Sequence, residues 1–341
     1  MKLTKEVVDA IKRYIINNVA QYPDNLTSIV VNHFGITKPT AIRYINELID
    51  EEVIIKKGKG RSPDYQLKSK VKHFEYKNDD QIAEDVLWRE DIYPILDPLP
   101  QNIRDVCQYG FTEMVNNVID HSEARSFSVE LEQDYLTVTF IIVDKGVGIF
   151  KKIQNNLQLD DPKHALLELA KGKFTSDPEN HTGEGIFFTS KIFNLFLILS
   201  RNLKFVGPGK SDWLFQNLGK DIAGTAVVMR IDKQADISIA DIFNKYTDPD
   251  KEPGFYKTIV PVKLMQYEGE SLLSRSQAKR LIQRFDKFTE VILDFEGVNI
   301  IGQAFADEVF RVFQKEHPNV HLSYINTTTE IKNMIVRASN Y

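Results

Sequence analysis

Three short polar segments interrupt apolar runs at places that a single fold must bring together. The first lies in residues 103–119, where Val106, Met114, Val115, Val118 and Ile119 repeat at helical spacing and predict one helix. On that helix Glu113, Asn117 and His121 recur every four residues and share the face opposite the apolar stripe. The second segment ends a strand. Residues 127–132 and 136–140 alternate apolar and polar side chains, which predicts two antiparallel strands, and the later one runs through Ile141-Ile142-Val143 to Asp144-Lys-Gly146-Val-Gly148. The third, Thr182-Gly183-Glu184-Gly185, opens a helix predicted over 186–193. Each has a chemical use. A carboxylate at the end of a buried strand can accept a hydrogen bond from a base amino group. Glycines beside it let backbone pass close to that base with no Cβ in the way. A glycine loop at a helix start aims free N–H groups and the positive dipole end at phosphate.

In this order and on these elements, the segments resemble the N, G1 and G2 boxes of the GHKL (Bergerat-fold, histidine kinase-like) ATP-binding superfamily. That superfamily includes histidine kinases, anti-sigma-factor serine kinases, type II topoisomerases and mismatch-repair ATPases. The resemblance implies ATP and Mg2+ as ligands of residues 78–235. It gives Glu113 the place of general base and Asn117 that of magnesium ligand, with Asn116, Asp120 and His121 as further contacts around metal and phosphate. Asp144, Gly146 and Gly148 take the adenine side; Thr182, Gly183, Glu184 and Gly185 take the phosphates; Thr225, after Gly224, stands near adenine. Residues 150–182 hold the place of an ATP lid, a segment that closes over nucleotide and gates turnover. Lys173 and Thr189 are additional candidates for phosphate contacts. The chemistry agrees with these roles: Mg2+ takes few protein ligands and keeps waters and phosphate oxygens. A carboxylate one turn from such a ligand can orient or deprotonate a nucleophile. Glu184 departs from the family, where an apolar or small residue is usual.

The flanks carry other patterns. Residues 1–72 hold 13 Lys and Arg against 8 Asp and Glu, a net of +5, so the remainder carries −10. Val7, Val8, Ile11, Tyr14, Ile15 and Val19 predict a first helix, and Ile29, Val30 and Phe34 a second, ended by Gly35. Thr37 caps a third, with Ile42, Ile45, Leu48 and Ile49 as its core stripe. A hairpin follows, Val53-Ile54-Ile55 and Tyr65-Gln66-Leu67, around a basic turn. This order resembles a winged helix-turn-helix, in which the third helix enters the DNA major groove and the wing meets phosphate. It places Lys38, Thr40, Arg43 and Tyr44 on the exposed face of the recognition helix, and Lys56, Lys57, Lys59 and Arg61 on phosphates. A winged helix used for protein contact or dimerisation is the alternative.

Residues 255–341 alternate strand and helix: 258–265, 291–295 and 320–325 as strands, 274–288, 304–313 and 331–338 as helices. The run Leu293-Asp-Phe-Glu-Gly-Val298 followed by Ile301-Gly302-Gln303-Ala304-Phe305 resembles the STAS-like domains found behind GHKL domains. STAS domains of anti-sigma antagonists carry a phosphorylatable serine before that helix. Gln303 or Ala304 stands there, and neither has a hydroxyl. Asp307 and Glu308 are read as a solvated helix face or a partner contact.

The expected fold is thus multi-domain α+β: a winged helix-turn-helix over 1–72, a GHKL α/β sandwich with a mixed sheet and helices on one face over 78–235, and a small α/β STAS-like domain over 255–341. The expected function is that of an ATP-responsive, DNA-binding transcriptional regulator with slow hydrolysis, acting as a homodimer on double-stranded DNA, with a protein partner at the STAS-like domain. The alternative is an anti-sigma-type serine/threonine kinase acting on a separate protein. No run of about 18 apolar residues occurs, so no transmembrane helix is expected. The N-terminal segment lacks the apolar core of a signal peptide. Cys107 is the sole cysteine and excludes an internal disulfide. The expected compartment is the cytoplasm.

Overall fold

The computed structural model describes residues 4–58, 63–79, 81–174, 183–207, 222–247, 254–266 and 270–339. Its architecture is mixed α+β, and the chain divides into two compact units. One takes Met1–His73 with Glu130–Thr139 and Asp232–Gln234; the other takes Phe74–Val129, Phe140–Ile231 and Ala235–Tyr341.

In the first unit, helices α1 (Lys5–Asn18), α2 (Leu26–Phe34) and α3 (Lys38–Asp50) precede an antiparallel pair, β1 (Ile54–Lys57) and β2 (Asp64–Leu67). Gly35 ends α2 in the left-handed region, and the Thr37 hydroxyl caps α3 by accepting from Thr40 N. Ile11, Ile15, Val19, Val30, Ile45, Leu48 and Ile54 form the core. One expectation is corrected here. The buried stripe of α3 is Ala41, Tyr44, Ile45 and Leu48, so Tyr44 belongs to the core at 3% exposure and not to an exposed recognition face. Apolar residues occur at two adjacent phases of this helix. The tyrosine ring buries more surface than Ile42, and its hydroxyl is satisfied by the Arg43 guanidinium at 2.6 Å.

A six-stranded sheet is built from β3 (Lys70–Lys77), β4 (Ser126–Gln133), β5 (Thr137–Asp144), β6 (Leu195–Arg201), β7 (Leu203–Val206) and β8 (Ile222–Asp232), in the order β3-β4-β5-β8-β6-β7. Between these strands lie α4 (Glu84–Leu87), a π-turn at Trp88–Ile92, α5 (Tyr93–Leu96), the long α6 (Gln101–His121), α7 (Ile149–Asn156), α8 (His164–Lys171) and α9 (Gly185–Ile192). The face of α6 that carries Ile103, Val106, Cys107, Phe111, Met114 and Val115 is buried. Phe111 stands between Trp88 and Phe140 of β5, with ring centroids 5.8 and 5.9 Å away. Residues 213–217, whose apolar pattern also reads as a strand of this sheet, lie outside the described residues.

After α10 (Ile239–Asn244) come β9 (Lys257–Pro261), α11 (Arg275–Ile282), β10 (Glu290–Asp294) and α12 (Gln303–Asp307), which continues through a π-turn at Glu308–Phe313 into α13 (Gln314–Glu316). Then come β11 (His321–Ile325) and α14 (Thr329–Ser339). The three strands are parallel in the order β11-β10-β9, which requires the crossover helices that the chain supplies. Ser274 and Gln277 form a capping box at the start of α11.

Candidate functional site

The alternation of β5 decides where its last side chain goes. Val138, Phe140 and Ile142 point inward, and Asp144 falls on the same phase, so a carboxylate ends up 3% exposed. Its Oδ1 accepts from Gly146 N at 2.7 Å, and Thr225 of β8 donates to it from both backbone and side chain. Burial pushes the Asp144 pKa up, and these hydrogen bonds oppose the rise. The Thr225 hydroxyl in turn accepts from Ile149 N at 3.1 Å.

The loop after β5 then crosses the end of α6. A Cβ at Gly146 would lie 1.8 Å from Ser122 O, so only glycine permits this approach. Val147 N donates to the same carbonyl at 2.9 Å. A second close approach joins α6 to α9: a Cβ at Gly185 would lie 1.9 Å from Glu113 Oε2. Thus the Glu113 carboxylate packs against the first residue of α9. One turn further along α6, Asn117 Nδ2 donates to Glu113 O at 2.7 Å. This commits the amide nitrogen to the helix backbone and turns the amide oxygen away from it.

These approaches enclose a cavity of about 310 Å3, within the range of small-molecule sites. Glu113, Asn116, Asn117, Asp120 and His121 line it from α6; Asp144 from the end of β5; Gly148 from the start of α7; Gly183 and Gly185 from the start of α9; Thr225 from β8. Apolar wall comes from Met114, Ile142, Ile153, Leu169, Phe174 and Val227, among others. Gly146 and Glu184 are not on the wall, and Thr182 lies outside the described residues. Burial raises the Glu184 pKa and the Lys173 ammonium opposes it. Lys173 Nζ donates to Lys287 O at 3.0 Å and faces the Phe288 ring. Thr189 is fully buried and is not a wall residue.

Lys152 is a wall residue with no motif to announce it. It follows Gly148 by one helical turn on α7, and its Nζ donates to His121 O at 2.7 Å and approaches Glu123 Oε1 at 3.4 Å. Helical periodicity from the glycine segment is the signal that would have found it.

Another lysine carries a stability prediction. Burial lowers the Lys191 pKa to about 8, against the charge of Asp294. Between that pH and 10.5 the unfolded chain holds a proton that the folded chain has released, so stability rises with pH across this window. Urea titrations should show wild type gaining on the order of 2 kcal/mol relative to Lys191→Met from pH 8 to 10.5. Parallel pH profiles for the two proteins would contradict this.

In the first unit Lys38, Arg43, Lys56 and Lys57 are exposed, and Thr40 is half-buried with its hydroxyl 2.9 Å from that of Thr37. Arg43 stacks over the Tyr44 ring at 4.5 Å. Lys59 and Arg61 lie outside the described residues.

Among known protein families, residues 277–332 match the model described as a STAS-like domain of unknown function (DUF4325). This segment is a STAS-like domain. It contains most of α11, all of β10, α12 and β11, and the start of α14. No curated protein matches the chain. At the start of α12 in this domain, Gln303 and Ala304 are exposed, and Asp307 pairs with Arg311 one turn on. No described helix is long and apolar enough to cross a membrane.

Proposed function

We propose that this chain is an ATP- and Mg2+-binding regulator of the GHKL type that binds DNA through a winged helix and changes its DNA binding with nucleotide. The observation that carries the reading is the buried Asp144, beside Gly148, on a cavity whose other walls are Glu113 and Asn117 of α6 and Gly183 and Gly185 of α9. A buried acceptor beside backbone with no side chain suits the amino edge of a flat base. Glycines at a helix start suit phosphate.

The residues fit magnesium as well as nucleotide. Asn117 offers one amide oxygen, and among the described residues no group of three or more His, Cys, Asp or Glu forms a cage. One protein oxygen with phosphate oxygens and water is a common Mg2+ arrangement. When bound, the ion would supply charge neutralisation at the phosphates. Glu113 orients a water and accepts its proton, which gives slow hydrolysis that resets the switch. The exposed Lys38, Arg43, Lys56 and Lys57 supply phosphate contacts for DNA.

The test compares wild type, Glu113→Ala and Asn117→Ala in ATP-binding, ATPase and DNA-binding assays. Glu113→Ala is expected to bind ATP without turnover, and Asn117→Ala to lose magnesium-dependent binding. Wild type is expected to bind duplex DNA with an affinity that ATP changes. Identical DNA affinity and identical mass in solution with and without ATP would overturn the switch. Transfer of labelled γ-phosphate to a partner hydroxyl would point instead to a protein kinase.

A further inference from the structure

All eight residues of α8 are buried. A helix without a solvent face is normally apolar all round, yet α8 contains Glu168 at 2% exposure and Lys171 at 0%. Their charges meet at 2.6 Å, and Glu168 Oε2 also meets Arg284 of the STAS-like domain at 2.7 Å. Two cations thus share one carboxylate. The surplus charge is taken up by carbonyls. Lys171 Nζ donates to Gln283 O at 2.8 Å and approaches Arg280 O at 3.4 Å, both at the C-terminal end of α11, where the helix dipole is negative. Arg284 donates to Gly172 O at 3.3 Å and to Lys173 O, and Lys173 reaches back to Lys287 O at 3.0 Å. Thr258 of β9 donates to Lys171 O at 2.8 Å.

The other face of this short segment belongs to the cavity: Leu169, Gly172 and Phe174 are wall residues. At Gly172, where φ is +81°, a Cβ would lie 2.6 Å from Phe255 and 3.0 Å from Phe187, and Phe187 is itself on the wall. The backbone of residues 172–174, just after α8, is therefore held between the cavity and the STAS-like domain.

We propose that the STAS-like domain is a positioning element of the nucleotide site, with Arg284 and the carbonyl end of α11 latching residues 168–174 against the cavity. The ligand in this statement rests on the ATP reading; the latch itself does not. A partner that moves α11 changes nucleotide retention, and nucleotide changes the exposure of α11, because coupling between two sites is reciprocal.

The test uses the full chain as wild type, Arg284→Met, Arg284→Lys and a control, Arg275→Ala. Arg275 lies in the same region, is exposed, and pairs with Asp307 at 3.6 Å. Arg284→Met leaves Glu168 and Lys171 as a one-to-one pair, so it strands no charge. Release of a fluorescent ATP analogue with Mg2+ is expected to be about tenfold faster in Arg284→Met. Arg284→Lys should be intermediate and Arg275→Ala unchanged. Without nucleotide, amides of 169–174 and 183–188 should exchange hydrogen faster in Arg284→Met than in wild type. Equal release rates in proteins that bind the analogue overturn the latch, as does equal exchange in the nucleotide-free proteins. A wild type that binds no analogue overturns the ATP reading alone, and exchange then decides the latch. Arg284→Lys carries both comparisons should Arg284→Met not fold.

Discussion

Asp144→Asn is expected to weaken ATP binding by about 100-fold while leaving the nucleotide-free protein folded. The carboxylate offers two acceptor oxygens. One takes Gly146 N at 2.7 Å, and Thr225 donates from backbone and side chain as well. An asparagine has one oxygen and one NH2. If its oxygen serves Gly146 and Thr225, the NH2 confronts the amino group of adenine, donor against donor. If it is turned round, the amide of Gly146 loses its acceptor at the point where the loop crosses α6. Loss of a hydrogen bond to a charged group with a donor left unmatched costs about 2–3 kcal/mol, which is about 100-fold in Kd. Stability moves differently. Burial raises the Asp144 pKa, so its ionised form at neutral pH is a net cost to folding, and neutralising it offsets the weaker contact with Gly146. Calorimetric titration with ATP and a thermal melt without it should therefore separate: affinity falls and the melting temperature stays within a few degrees. Affinity within threefold of wild type would remove Asp144 from the base-binding role.

Legibility in the sequence followed how many residues carry each signal. Helix α6 was readable because its apolar positions repeat over five turns, and the polar face carrying Glu113, Asn117 and His121 came with them. Strand β5 was readable from strict alternation. That same alternation put Asp144 on the inward phase. Strand β3 gave no such signal: it shows Lys70, Val71, Lys72, His73, Glu75 and Lys77 to solvent and half-buries only Phe74 and Tyr76, as an edge strand does. Strand β7 is four residues long, too short for a period. The phase of α3 misled for a physical reason: Ile42 and Ile49 offer a stripe as good on paper as Ala41 and Tyr44, and only packing chooses between them. The buried charges of α8 were the least legible. An acid and a lysine three residues apart read as a solvated helix face, and the partner that draws them inside, Arg284, belongs to another module of the chain. Lys152 went unread because a single lysine on an amphipathic helix is ordinary.

The network around α8 makes a second large prediction, and its sign pattern comes from charge count. Lys171→Met leaves Glu168 with Arg284; Arg284→Met leaves Glu168 with Lys171. In either variant a one-to-one pair remains at 2.6–2.7 Å. Glu168→Gln instead leaves two cations facing each other at a site where Lys171 is fully buried and Arg284 nearly so. Removing one partner of a buried ion pair costs about 3–5 kcal/mol because the other charge stays desolvated, and here two charges are stranded. Glu168→Gln should therefore melt about 10 °C below wild type, with both methionine variants falling much less. The pH dependence identifies the cause. Burial lowers the Lys171 pKa, and Glu168 is the main group that opposes this. Without Glu168, the folded protein holds the Lys171 proton even less tightly than the unfolded chain, whose value is 10.5. Stability rises with pH wherever the unfolded state binds more protons. In Glu168→Gln that rise begins at a lower pH than in wild type, so the deficit should shrink as pH rises toward the lowered Lys171 pKa of wild type and then level off. A deficit independent of pH, or methionine variants as damaged as Glu168→Gln, would mean that packing of these side chains and not their charge balance holds α8 to α11.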